Sequence, residues 1–160
     1  MAAATGGSRL IGVISDTHGL LRPQAIDALR GSELIVHAGD IGAADVLEAL
    51  RAIAPTMAVR GNVDTGAWAD GLPATEVVEV GRVHLYVLHD VSTLDLDPKA
   101  AGFAAVISGH SHRRSAELRD GVLYLNPGSA GPRRFSLPIA VARLHIAGER
   151  VSHEIVQLQA

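Results

Sequence analysis

The chain has no cysteine, which excludes disulfides, thiolate metal sites and cysteine nucleophiles and fits a reducing compartment such as the cytoplasm. Aromatic side chains are scarce: two Phe, two Tyr and one Trp leave little material for stacking nucleic-acid bases. Nor is there an excess of positive charge, because 14 Lys and Arg stand against 17 Asp and Glu for a formal charge of −3. An extended nucleic acid is therefore not the expected partner, since its phosphates would need a basic track. Long apolar runs are missing as well. None approaches a membrane span, and residues 1–8 have neither a basic leader nor an apolar stretch, so they read as a flexible tail ahead of a single domain over residues 9–160. That domain is rich in core material, 48% of the 160 residues being apolar, enough for one substantial core.

The first third of the chain alternates strand-like and helix-like patterns. Residues 9–15 (RLIGVIS) form a continuous apolar run, and residues 20–29 follow with Leu21, Ala25, Ile26 and Leu29 at helical spacing. A strand at 34–37, a helix at 43–52 and a strand at 56–60 complete a βαβαβ pattern, which predicts a mainly parallel sheet with its strand ends along one edge. Hairpins are then expected about Gly81 (75–80 with 82–88) and about Asp120-Gly121 (115–118 with 122–125). Between them lie a helix at 95–102 and a buried strand at 104–108, and strands at 138–146 and 149–158 end the chain. So many strands exceed the needs of one sheet and predict an α/β fold of two packed mixed sheets flanked by helices.

Polar clusters close several of these runs. Asp16 and His18 follow the first strand with one residue between them, so one turn can aim both at a single ion. Taken alone, Asp-x-His is equally a surface turn. Asp40 follows Gly39 at the second strand end, and its two oxygens suit it to bridge two ions; the plain alternative is a helix N-cap. Asn62 offers an amide oxygen after Gly61, although Gly-Asn is also a common turn. His89 ends another run, and His110 and His112 flank Ser111 after the strand at 104–108. Each has an ordinary reading as a surface residue. Their convergence at strand ends argues for one site, because carboxylate, amide and imidazole together suit a pair of divalent ions that hydrolyses phosphate esters. Asp64 and Asp90 adjoin these candidates, and His37 lies three residues before Asp40, where it could hold a ligand in place. In the Asn126-Pro127-Gly128-Ser129 loop, Asn126 and Pro127 read as structural, with Ser129 and Arg133 as donors toward a phosphate oxygen. Trp68 and Phe135 fall in loops, where they either line the cleft or pack locally; the Trp68 region and the late strands are candidate faces for a homodimer.

In order along the chain, Asp16-x-His18, Gly39-Asp40, Gly61-Asn62 and Gly109-His110-x-His112, with His89 between and the late Asn-Pro-Gly-Ser loop, resemble the calcineurin-like metallophosphoesterases, specifically the small YfcE-type phosphodiesterases. The resemblance implies a four-layer α/β/β/α sandwich with the metals at the strand ends. It implies Asp16, His18, Asp40 and His112 on one ion and Asp40, Asn62, His89 and His110 on the other, Asp40 being the bridge. Manganese is the implied metal, with iron, zinc, nickel and cobalt compatible with the same ligands. The implied reaction is in-line attack of hydroxide, held between the ions, on a small phosphodiester, with Asn62 also touching a phosphoryl oxygen. Two departures stand out. Larger relatives carry a histidine where Val63 stands, so the leaving group needs another proton source, water or Asp64. Asp90 replaces the usual glycine after the intervening histidine. A phosphomonoesterase and a protein-binding scaffold of the retromer-subunit type are the alternatives.

Overall fold

The computed structural model describes residues 8–159, so the tail expected at 1–8 lies, except for Ser8, outside the described residues. The alternation of the opening third forms β1 (Arg9–Ile14), α1 (Pro23–Leu29), β2 (Leu34–His37), α2 (Ala44–Arg51) and β3 (Thr56–Ala58). The middle forms β4 (Thr75–Val80), β5 (Val83–Leu88), α3 (Pro98–Ala101) and β6 (Ala105–Ile107). The last third is all strand: β7 (Ser115–Arg119), β8 (Val122–Asn126), β9 (Ala140–Ala147) and β10 (Arg150–Gln157).

These strands make two five-stranded sheets, ordered β10-β9-β1-β2-β3 and β4-β5-β6-β8-β7. In the first, β1, β2 and β3 are parallel, and β9 joins β1 antiparallel with Val13 opposite Ala142. In the second, β5, β6 and β8 are parallel and are flanked by the antiparallel hairpin partners β4 and β7.

Strand alternation sorts the apolar side chains into three layers. Ile11, Val13, Val36 and Leu144 from the first sheet meet Val78, Leu85, Val87, Ile107 and Leu125 from the second in the central core. The opposite face of the first sheet, with Ile14, Ile35 and Val141, is covered by Ala25 and Leu29 of α1 and by Val46, Leu47 and Leu50 of α2. Tyr86, Leu88 and Val106 on the outer face of the second sheet are covered by Leu94, Leu96 and Phe103. Each fully buried Leu, Ile or Val adds about 1.5–3 kcal/mol of transfer free energy, which makes the central layer the main cohesion between the sheets. Trp68 is partly buried against the helix-covered layer of the first sheet.

The expected helix at 95–102 shrinks to four residues, Pro98–Ala101. Asp97 accepts from Lys99 N–H at 3.1 Å and begins the helix one residue before Pro98, while Leu94 and Leu96 remain outside it to cover the sheet. The helix expected at 20–29 likewise starts only at Pro23, a favoured first helical residue because its missing N–H would have no partner there. Among the described residues, no helix is long and apolar enough to cross a membrane.

Candidate metal centre

The loops leaving β1 and β2 run side by side. Asp16 N–H donates to Gly39 O at 3.0 Å, His18 N–H to Asp40 O at 2.9 Å and Gly19 N–H to Ile41 O at 2.7 Å. This pairing forces Asp16, His18 and Asp40 to φ of 55°, 48° and 57°, and His110 and His112 beyond β6 have φ of 72° and 64°. Left-handed backbone at non-glycine residues costs free energy and concentrates at functional sites. The glycines before the candidate ligands are required by space: a Cβ on Gly61 would collide with Asp40 N and Oδ1, and one on Gly109 with Ser15 Oγ and, at 2.6 Å, Asp16 Oδ2.

Both carboxylates are anchored through one oxygen and open through the other. Asp16 Oδ2 accepts from Ser15 Oγ at 2.7 Å and from His110 N–H at 3.1 Å. Its Oδ1 is buried without a hydrogen bond and faces Nε2 of His112 at 3.4 Å, His18 at 3.8 Å and His89 at 4.0 Å. Asp40 Oδ1 accepts from Val63 N–H at 3.0 Å, leaving Oδ2 between Nε2 of His89 at 3.2 Å and of His18 at 3.7 Å. His89 Nδ1 lies 2.7 Å from Ala38 O. A proton on Nδ1 satisfies that carbonyl and turns the Nε2 lone pair toward the carboxylates, which is the tautomer a metal ligand uses. Nε2 of His18 and of His89 are themselves buried without hydrogen bonds. Bare carboxylate oxygens facing imidazole nitrogens is an arrangement that a cation between them satisfies.

Among the described residues, two groups of donor atoms meet this requirement, Asp16 with His18 and His112, and Asp16 with Asp40 and His89, each with all its atoms within 4.8 Å of one another. They share Asp16, whereas the expected ligand set shares Asp40, whose Oδ2 nonetheless lies between His18 and His89. The remaining two candidates stand at the rim. Asn62 is exposed beside Asp40's anchor Val63. His110 is also exposed, its ring 5.2 Å from that of His89 and its Nε2 3.7 Å from Asp90 Oδ2.

The electrostatics follow from burial and proximity. Burial raises the Asp16 carboxyl above the usual carboxylate range, with Asp40 adding repulsion and Ser15, His89 and the His110 amide opposing. Burial would raise Asp40 too, but His89, the Val63 amide and His18 outweigh it and hold that carboxyl well below the usual range. Burial opposes protonation of His89, yet Asp40, Ala38 O and Asp16 together raise its pKa. Burial lowers both His18 and His112, and the Arg134 cation lowers them further.

Surrounding groups fix the loops. Asp64, 2% exposed, accepts Gly42 N–H at 2.9 Å through one oxygen and Gly61 N–H at 2.8 Å through the other. His37 is fully buried, and burial pushes its pKa down to about 3. It accepts Gly39 N–H at Nδ1 (3.1 Å), so the neutral ring donates from Nε2 to Thr17 Oγ (3.0 Å), which donates to Ile41 O (2.8 Å). Asn126 Nδ2 donates to Gly109 O at 2.9 Å and to Ser111 Oγ at 3.1 Å. Ser129 Oγ donates to Asp16 O at 3.0 Å, and Arg133 Nη1 reaches Leu137 O at 3.4 Å. Sequence reasoning missed the parts played by Ser15 and the Val63 amide, for which the only signal was their adjacency to a candidate ligand.

A probable metallophosphoesterase of Methanothermobacter thermautotrophicus is 37% identical over 163 residues, covering 94% of each chain. Among solved structures, an archaeal phosphodiesterase superposes with a TM-score of 0.76 at 25% identity, covering 92% of this chain and 99% of that one. Vacuolar protein sorting 29 of Cryptosporidium parvum superposes with a TM-score of 0.77 at 16% identity, covering 96% and 100%, a likeness of fold alone. Residues 10–149 match the calcineurin-like phosphoesterase superfamily domain, and the chain belongs to that superfamily.

Proposed function

We propose that the protein is a metal-dependent phosphodiesterase that hydrolyses a small phosphodiester, with manganese as the working metal. The observation that carries the reading is the buried, unpartnered Asp16 Oδ1 facing three imidazole nitrogens, with Asp40 Oδ2 beside them. Asp16, His18, Asp40 and His112 would hold one ion, and Asp40, Asn62, His89 and His110 the other; Asp16's place in both donor groups lets it touch each. Bound there, two divalent ions supply an activated water and neutralise the charge that develops on the phosphoryl oxygens.

The chain's own residues do the rest. The Val63 amide and Ser15 hydroxyl lock the two carboxylates so that their free oxygens need no reorganisation. Ala38 O fixes the His89 ring. Asn62, exposed at the rim, is free to meet a phosphoryl oxygen. Asp64 has both oxygens committed to backbone amides, so its part is to hold the Asn62 loop, and solvent protonates the departing alkoxide. The absence of cysteine fits a cytoplasmic setting.

Metal-stripped protein titrated with manganese against a p-nitrophenyl phosphodiester tests this, beside a folded Asp40→Asn variant and with p-nitrophenyl phosphate in parallel. Manganese-dependent turnover of the diester, lost in Asp40→Asn, is expected. Faster turnover of the monoester would instead make the chain a phosphomonoesterase, and no turnover with manganese, nickel, cobalt or zinc would favour the scaffold reading, which rests on the shared fold.

A further inference from the structure

The loops leaving β5 and β6 are tied at their roots: Gly109 N–H donates to His89 O at 2.9 Å, and His110 N–H donates to Asp16 Oδ2 at 3.1 Å. Where these loops open, Asp90 follows His89 and His110 follows Gly109. Asp90 caps the single turn over Val91–Thr93, its Oδ1 accepting Ser92 N–H at 3.0 Å and the Ser92 hydroxyl at 2.8 Å. Its carbonyl oxygen accepts Thr93 N–H at 3.0 Å and the Thr93 hydroxyl at 2.7 Å. The backbone and one carboxylate oxygen are thus committed, and Oδ2 is left toward His110 Nε2 at 3.7 Å, a gap that a small rotation of the exposed ring closes to hydrogen-bond length. Asp90 repeats the pattern of Asp16 and Asp40, one oxygen anchored and the other facing an imidazole.

An ionised carboxylate only accepts, so the proton of a neutral His110 ring belongs on Nε2, where Asp90 can take it, and the lone pair belongs on Nδ1. This reverses the roles of the two nitrogens relative to His18, His89 and His112, whose Nε2 atoms face Asp16 or Asp40. The His110 ring also meets that of His89 edge to face, at 5.2 Å between centroids and 81° between planes. It therefore touches one expected ligand of the second ion and one carboxylate that belongs to neither donor group. A carboxylate on the far nitrogen of an imidazole fixes its tautomer and orientation and makes the near nitrogen a better metal donor. His110 has the most to gain from such a partner, because its side chain is 43% exposed whereas those of His89 and His112 are 5% and 7% exposed and held by their surroundings.

We propose that Asp90 is the positioning residue for His110, taking the Nε2 proton so that Nδ1 is the atom His110 offers to the ion it shares with Asp40, Asn62 and His89. This rests on the two-metal reading of the site. It also gives a task to the carboxylate that stands where glycine was expected, at the mouth of a site for an anion.

Calorimetric titration of the metal-stripped protein with manganese is run on the parent, Asp90→Ser, Asp90→Asn, His110→Asn and the Asp90→Ser/His110→Asn double variant. Serine and asparagine both keep a cap for Ser92 N–H, so a residue that only shaped the turn would leave manganese affinity unchanged. Asp90→Ser should instead weaken one of the two ions by about tenfold or more and leave the other as it was, and Asp90→Asn, which keeps a neutral acceptor, should lose less. His110→Asn keeps a donor atom near the place of Nδ1 and has no counterpart of Nε2, so in that background Asp90→Ser should cost nothing further. Equal losses with and without His110 overturn the assignment, because the carboxylate would then act on the ion directly or through its charge. Unchanged affinities in both Asp90 variants overturn it too. Nitrogen-15 spectra of the imidazoles in zinc-loaded protein give an independent readout: His110 should bind through Nδ1 and keep its proton on Nε2, and ligation through Nε2 overturns the proposal. A parent that takes up fewer than two ions removes the two-metal reading, and the role of Asp90 falls with it. A parent that takes up two, with any of the failures above, removes the role of Asp90 alone.

Discussion

Asp16 Oδ1 faces His112 Nε2 across 3.4 Å from within the core, while the other oxygen of the same carboxyl accepts the backbone N–H of His110. One histidine turn therefore both positions the carboxylate and offers it a co-ligand. Burial raises this carboxyl. A raised folded-state pKa means that the favourable contribution exists at low pH, below the unfolded value, and is lost as pH rises through the folded value. At pH 7 the ionised group therefore costs the metal-free protein stability. Asp16→Asn should unfold at a higher temperature than the parent in chelator and lose most of the rise in Tm that manganese gives the parent. Differential scanning calorimetry with and without manganese reads both effects, and an unchanged manganese response would remove Asp16 from the ligand set.

Asp64 tests the distinction between a proton donor and a brace. Asp64→Ala strands two N–H groups, Gly42 and Gly61, and should destabilise by about 2–4 kcal/mol in urea titration. Asp64→Asn keeps an acceptor for one of them and should lie between parent and Ala. If Asp64 donated the leaving-group proton, Asp64→Asn would erase a limb of the pH–rate profile; as a brace, it lowers kcat at every pH alike.

His37 should show itself as acid sensitivity. Its folded pKa of about 3 lies below the ordinary value of 6.5, so the unfolded chain binds the extra proton. Its contribution is complete above the unfolded value and declines as pH falls from about 6.5 toward 3. Between about pH 5.5 and 4 it removes about 1.4 kcal/mol per pH unit. Urea denaturation of metal-free His37→Gln should show a slope shallower by that amount than the parent's. Equal slopes would mean that the ring is not held neutral.

How much of this was legible depended on what kind of information each feature needs. The apolar runs at Leu34–His37 and Val83–Leu88 announce strands because the pattern is local. The return of β9 to lie against β1 is set by long-range pairing, as in Arg9 opposite Ile146, which no local period encodes. Helix limits at Pro23 and Asp97 were written in the sequence as cap and first-turn residues, but they were outweighed by apolar spacing upstream of each. At the site, the residue types were readable because each follows a strand. The sharing of Asp16 by both donor groups was not, since it depends on which carboxylate oxygen the neighbouring amide and hydroxyl occupy. The turn that Leu137 N–H closes on Arg134 O was not legible either, because its two positive φ angles fall on Phe135 and Ser136 rather than on glycine or asparagine.

That turn carries its own cost. Ser136 has φ of 64° without being glycine, and Ser136→Gly should stabilise the protein by about 0.5–1 kcal/mol by relieving left-handed strain, net of the entropy glycine adds to the unfolded chain. A thermal melt checks it, and a lower Tm would show that the serine side chain contributes more than the strain removes.

Each donor group draws on both halves of the sandwich: Asp16 and His18 leave β1 while His112 follows β6, and Asp16 and Asp40 leave β1 and β2 while His89 follows β5. An ion in either group would therefore clasp the seam between the sheets at its mouth, where the hydrogen bond from His110 N–H to Asp16 Oδ2 and the one between His89 Nδ1 and Ala38 O already cross it. Loading the site should tighten the mouth of the sandwich, and stripping it leaves the carboxylates of the first sheet's loops facing the imidazole nitrogens of the second's with no ion to join them. Amide hydrogens at the exits of β1, β2 and β6 should then exchange as one metal-controlled unit, while the far end of the two sheets, held by the apolar layer, keeps its own protection.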